Sequence, residues 1–223
     1  MLLAISSQEI TAAGISVITL VLSIAVHEYF HALAAWKLGD GTAEAEGRLT
    51  LNPISHADPI GTLALPIIAS LNGFPAFGWG RPVPTQPNRY TRKVSMRTGM
   101  GIVAVAGPLG NLLLVVLSIM VAGMCNALGL LTEPVTLLLV SMLQINLILM
   151  VFNLLPFHPL DGGKILAAVL PSRYDWVDEW LLRWGGAIVI LLVVFGGPVL
   201  AYVFEPLMFL VESAWTFTME VTG

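Results

Sequence analysis

The segment from Val26 to Ala32 reads VHEYFHA, and its HExxH pattern is the first place in the chain where side chains could do chemistry together. On a helix of 3.6 residues per turn, His27 and His31 lie one turn apart on one face, so both imidazoles can point at a single metal ion. Glu28, beside them, is placed to act on a metal-bound water rather than to ligate. The bland alternative is chance, with two histidines packed against other helices. It loses weight in an apolar helix, where an ionisable group costs at least about 2.5 kcal/mol and usually has a function.

Two histidines and a water leave a zinc site one protein ligand short, because catalytic sites commonly use three. The chain offers a carboxylate in a second polar stretch, NLLPFHPLDGG from Asn153 to Gly163, which contains Asp161. Pro156 and Pro159 prevent regular helix there, and Gly162 and Gly163 permit close backbone approach. Unwound backbone at membrane depth is tolerated only against protein or a water-filled cavity, and a hydrolytic site requires the latter.

The elements that must position these residues are membrane helices. The 223 residues are 57% hydrophobic and 11% charged, with a mean hydropathy of +0.85, outside the range of soluble domains. Four stretches can span or nearly span a bilayer, which takes about 20 apolar residues: Ile10 to Leu38, Met100 to Leu131, Pro134 to Leu155 and Val177 to roughly Phe195. A fifth, Ile60 to Leu71, lies between Pro59 and the Asn72-Gly73 turn signal and is short enough to be re-entrant or interfacial. The basic residues test this map, since they collect on the cytoplasmic side of short loops. Lys37, Arg48, Arg81, Arg89, Arg92, Lys93 and Arg97 flank the short apolar piece, and Lys164, Arg173 and Arg183 follow the third span. All fit one side if the N-terminus is outside. Trp176, Trp180 and Trp184 then mark the inner interface.

With the first span running inward, His27 and His31 lie about 25 to 32 Å along it, near its inner end, and the third span delivers Asp161 to the same side. Glu133 and Glu205 fall at the opposite face. Beyond Val177 a single helix to Val211 would be about 50 Å long, so Gly196, Gly197 and Pro198 must break it. For the remainder, with Glu205, Glu212 and Glu220, the sequence does not decide between a span, a partial return and a course along the outer interface. Glu46 to Leu51 and Trp79 to Thr85 alternate loosely between Gly, Pro and Asn and read as short cytoplasmic-side strands. The expected fold is an all-α polytopic membrane protein of one domain, 1–223, with a core at 10–170 and a C-terminal helical segment at 175–220. To its four transmembrane helices it adds the re-entrant or interfacial helix and a small β-hairpin. The N-terminal MLLAISSQEI lacks the basic region of a secretory signal and reads as mature sequence.

HEYFH followed by NLLPFHPLDGG resembles the site-2 protease family of intramembrane zinc proteases, peptidase family M50, whose pattern is HExxH on one transmembrane helix and NxxPxxPxDG on a later one. AGPLGN at Ala106 to Asn111, GWGRPVP at Gly78 to Pro84 and GRLTLNP at Gly47 to Pro53 look like the shorter bacterial and archaeal members. The resemblance covers roughly Leu20 to Leu170. It implies that His27, His31 and Asp161 ligate one zinc per chain, that Glu28 is the catalytic acid/base, and that Asn153 polarises or orients the scissile carbonyl. It further implies cleavage of peptide bonds in or beside transmembrane segments, with membrane proteins or signal-peptide remnants as substrates, in a cell membrane such as a bacterial inner membrane. The separate helix before HExxH and the inserted PDZ domain of larger members are not present.

Several polar residues have plainer readings. His56 could enter the site from its loop, or bond to Asp58 at the interface. His158 could touch substrate or water, or serve structure. Asn111, Asn146 and Gln144 lie in apolar helices, where interhelical hydrogen bonding is the default. Cys125 is the single cysteine and packs as a small hydrophobe. The bilayer is the evident partner, no nucleic-acid signature appears, and the oligomeric state is not legible. A zinc transporter would need polar groups across the whole bilayer and has no use for Glu28. A noncatalytic binding protein would be expected to have lost Glu28 or a ligand. Iron or cobalt could occupy the same donors.

Overall fold

Helix α1, Ser7–Lys37, runs for 31 residues, about 46 Å at 1.5 Å per residue. It ends where Gly39 adopts φ +102°. There the Asp40 N–H bonds to Ala35 O and the Gly39 N–H to Trp36 O, the paired bonds of a Schellman cap that only a residue tolerating positive φ can close. The computed structural model describes residues 7–71, 78–91 and 93–223; the Asn72-Gly73 turn signal lies outside them. After α1 come the short helices α2, Thr42–Ala45, and α3, Pro53–His56. A wide helical turn, Pro59–Ala64, leads into α4, Leu65–Leu71. Pro59–Ala69 is an apolar piece too short to cross a bilayer, and it packs on α1.

Helix α5, Met96–Ala127, starts at Ser95, whose side chain accepts from the Thr98 N–H. Helix α6 is Glu133–Asn153. These two and α1 pack on one another, and the buried faces carry many small residues, among them Ala25, Ala32, Ala35, Ala104 and Ala122, which bring backbones close where lipid supplies no hydrophobic drive. A proline-rich turn then leads to α7, Asp161–Val169, packed on α5. Helix α8, Asp175–Phe195, and helix α9, Gly197–Thr222, complete the chain.

Among the described residues, four helices are long and apolar enough to cross a membrane: α1, α5, α6 and α9. The expected number is met, but the fourth is α9 and not the Val177 to Phe195 stretch. The reason is in the charges. Asp175, Asp178, Glu179 and Arg183 occupy the first half of α8, leaving too short an apolar run. Helix α9 instead lies along α5 and α6. Its last turn meets the last turn of α5, where Asn126 donates to Met219 O at 3.0 Å and to Thr222 Oγ1 at 3.1 Å. Lower down, Phe204, Leu207 and Val211 pack on Val115, Leu143, Leu147 and Val151. Helix α9 therefore runs parallel to α5, away from the end that holds α7, and α8 begins and ends on the α7 side. The C-terminal remainder is thus a helix long and apolar enough to cross a membrane, packed along α5 and α6.

The small hairpin is corrected as well. Among the described residues no strand forms. Residues 79–85 form neither helix nor strand, and much of their backbone is satisfied by loops and side chains. The Trp79 N–H bonds to Gly61 O, the Arg81 N–H to His56 O, and the Val83 N–H to Glu28 Oε2 at 2.9 Å. Trp79 O accepts from the Thr62 hydroxyl, and Arg81 O from Arg48. Pro82 and Pro84 contribute no N–H. The N–H groups of Trp79, Arg81 and Val83 are thus taken by partners other than Glu46 to Leu51. Asp40, fully buried, fixes the far end by accepting from the Gln86 and Thr42 N–H groups. Burial opposes its ionisation, but these hydrogen bonds outweigh it and hold the carboxyl below the usual carboxylate range.

Candidate metal centre

His27 and His31 reach the interior because α1 places them one turn apart on the face toward α5 and α7. Gly107 of α5 makes room, since a Cβ there would collide with both imidazoles. Asp161 arrives from the first turn of α7. Its approach depends on Gly162, where a side chain would strike the carbonyls of Leu154 and Leu155, and on Gly163, where a Cβ would lie 2.7 Å from the His158 nitrogen. All three residues are buried.

Their atoms converge. His27 Nε2 lies 2.9 Å from His31 Nε2 and 3.1 Å from Asp161 Oδ2, while His31 Nε2 lies 3.0 Å from the same oxygen. Four ligands at about 2.0–2.1 Å from a tetrahedral zinc are spaced roughly 3.3 Å apart, so this triangle has nearly the right size. The outer nitrogens decide what it presents. His31 Nδ1 is 2.7 Å from Val103 O, a carbonyl that can only accept, so the proton sits on Nδ1. His27 Nδ1 is 2.6 Å from Asn111 Oδ1. The orientation of that amide is set by its other end, since Asn111 Nδ2 donates to Asn146 Oδ1 at 2.8 Å and Asn146 Nδ2 to Ser23 Oγ at 2.8 Å. Both imidazoles thus direct Nε2 lone pairs at the carboxylate, and three acceptors meeting at one point are what a cation stabilises. Among the described residues this is the group of His, Cys, Asp and Glu that could hold a metal. Lys164 donates to the other carboxylate oxygen, Asp161 Oδ1, at 3.1 Å.

The triangle opens into a cavity of about 940 Å³ whose lining includes Glu28, Asn153 and Lys164. Ile148 and Phe152 of α6, Val193 of α8 and Phe204 of α9 give it apolar walls. Asn153 lines it while its amide donates to Leu149 O, one turn back, at 2.9 Å. The remaining expected residues lie elsewhere. His56 is 1% exposed and bonds through Nε2 to Thr50 O at 2.8 Å. It is outside the metal group and not bonded to Asp58, whose carboxylate caps the Ile60 and Gly61 N–H groups. Burial outweighs its hydrogen bond and, with the charge of Arg48, pulls His56 below the usual histidine range. His158 pairs with Asp178 of α8 at 2.9 Å and so fastens α8 to the turn that carries Asp161. Asn111 joins helices, as expected, and also touches a histidine of the triangle.

Sequence reasoning missed Val83, Val103 and Lys164. Lys164 had a signal, its i, i+3 spacing from Asp161. The other two act through backbone atoms, which residue types do not advertise.

Comparison with known proteins places the chain in a family. The model of peptidase family M50 matches residues 129–192. The chain is 36% identical over 197 residues to YwhC of Bacillus subtilis (strain 168), named as a candidate zinc metalloprotease, covering 86% of this chain and 84% of that protein. It is 32% identical over 201 residues to Rip2 of Mycobacterium tuberculosis (strain H37Rv), covering 86% and 72%. Rip2 of Mycolicibacterium smegmatis is 31% identical over 176 residues, covering 78% of this chain and 64% of its own length. Both Rip2 proteins bear the same kind of name. No solved structure matches the chain.

Proposed function

This chain belongs to peptidase family M50, the site-2 protease family, and we propose that it is an intramembrane zinc protease that hydrolyses peptide bonds in or next to transmembrane segments. The observation that carries this reading is the convergence of His27 Nε2, His31 Nε2 and Asp161 Oδ2 within about 3 Å of one another, with Glu28 lining the same cavity. These three residues would hold one zinc. When bound, zinc supplies Lewis acidity, which brings the pKa of a water toward 7 and polarises a carbonyl.

The protein's own groups do the rest. Glu28, adjacent to His27 and held by the Val83 N–H, accepts the proton of the attacking water and returns it to the leaving amide nitrogen. Asn153 orients the scissile carbonyl once its amide is released from Leu149 O. Asn111 and Val103 keep the two histidines in the tautomer that ligates. The apolar walls from α6 and α9 receive a transmembrane segment. Unwinding of that segment is offset by backbone bonds to residues 79–85, which form neither helix nor strand of their own. The clustering of basic residues at the α7 end supports a site that faces the cytoplasm.

Cleavage of a transmembrane substrate by detergent-purified protein, wild type beside Glu28→Gln with zinc determined on both, tests the reading. Zinc near one per chain in both and cleavage by the wild type alone is expected. Cleavage by both, or metal in neither, contradicts it.

A further inference from the structure

The stretch Gly47 to Pro53 takes no part in the triangle, yet it contains a buried cation. Arg48 is 4% exposed. A buried guanidinium is ordinarily paired with a carboxylate, but Arg48 is spent on backbone carbonyls, donating to Arg81 O at 2.6 Å and reaching Pro82 O at 3.4 Å. Its Nε has no partner among the described residues. Two residues further along, the Val83 N–H holds Glu28 Oε2 at 2.9 Å.

We infer that Arg48 is a positioning residue for Glu28, acting through the backbone of residues 81–83. Peptide planes are rigid. The plane joining Pro82 to Val83 carries the Pro82 carbonyl on one side and the Val83 N–H on the other, so Arg48 and Glu28 touch opposite edges of one unit. Upstream, Arg81 is held twice, by Arg48 on its carbonyl and by His56 O on its N–H. Between them Pro82 has φ locked near −65°, leaving one soft torsion between the anchored carbonyl and the donor that holds Glu28. His56 completes the support from behind, anchored by its ring to Thr50 O. GRLTLNP and GWGRPVP are thus two halves of one device: the first contributes the guanidinium, the second the stiff backbone it grips. Both contacts leave one nitrogen, Nη2, which lies one bond farther along its side chain than a lysine Nζ, so an ammonium at position 48 falls short of the two carbonyls.

The inference rests on the protease reading of the site, and its test is built to fail separately. Full-length protein in detergent is assayed for cleavage of a transmembrane substrate, for zinc content and for amide hydrogen exchange. Arg48→Lys is expected to lower kcat about tenfold or more, as small misplacements of catalytic groups do, with KM within about twofold and zinc per chain unchanged. Val83→Pro, which deletes the donor, gives a similar loss. Adding Arg48→Lys to it costs nothing further, since both act through one bond. Exchange of the Val83 amide quickens in Arg48→Lys and in Glu28→Ala, while α1 and α5 keep their protection. A rise in KM with kcat intact, additive losses in the double variant, or unchanged exchange at Val83 overturns the inference. An inactive wild type would count against the protease reading alone, because the exchange measurement still decides whether Arg48 controls the donor to Glu28.

Discussion

The two sides of the candidate centre are built in opposite ways. On the ligand side, His27, His31 and Asp161 are held from within the bundle: each histidine is braced by α5, through Asn111 and Val103 O, and the carboxylate is delivered by glycines pressed against backbone. On the base side, Glu28 is held by a loop, through the Val83 N–H of a segment anchored by Arg48 and His56 O. The first arrangement fixes the two rings and the carboxylate from several directions at once. The second depends on a few hydrogen bonds at the end of the bundle and is the side that substrate can disturb. Metal retention and proton handling should therefore be separable by mutation.

The largest effect expected is from His31→Ala, which removes a ligand and its bond to Val103: zinc falls below detection by metal analysis and cleavage is lost. Asn111→Leu leaves the ligand set intact but frees the His27 ring, and loss of such an outer partner typically costs about 10–100-fold in metal affinity. Competition with a chelator measures it, and unchanged affinity would show that α5 does not brace His27. On the other side, Val83→Pro is expected to slow cleavage about 10–100-fold with zinc affinity unchanged, read from turnover and metal content on one preparation. A parallel drop in zinc would erase the distinction between the sides.

The smallest effect concerns His56, in the support behind the base. Its pKa is lower folded than unfolded, so the unfolded chain binds more protons. Its contribution to stability is present above the unfolded value, about 6.5, and is lost as pH falls through the folded one. Thermal stability should fall between pH 7 and 5 less steeply in His56→Gln than in wild type; equal slopes would mean that His56 does not titrate on unfolding.

The same division governs what the sequence discloses. The ligand side is legible because its signals are periodic or chemical: HExxH has helical spacing, Asp161 sits among helix breakers after an apolar run, and three of the four candidate spans among the described residues stand at their expected places. The base side is not, because Glu28 is met by a backbone N–H, whose position depends on a loop path that composition does not encode. The fourth crossing was misplaced for a related reason. The stretch from Val177 to Phe195 is more apolar at its end than the α9 sequence, but the charges of its first half and the fit of α9 along α5 decide which helix lies in the bundle. The strands expected at 46–51 and 79–85 do not form, since side chains and loops fill the role that alternation assigns to a neighbouring strand.

The most direct test of the separation is zinc stoichiometry and turnover measured on the same preparations of Asp161→Asn and Glu28→Gln. Loss of both zinc and turnover in the first, and of turnover alone in the second, is the expected result. Zinc lost from Glu28→Gln, or zinc and turnover both retained in Asp161→Asn, would contradict the account.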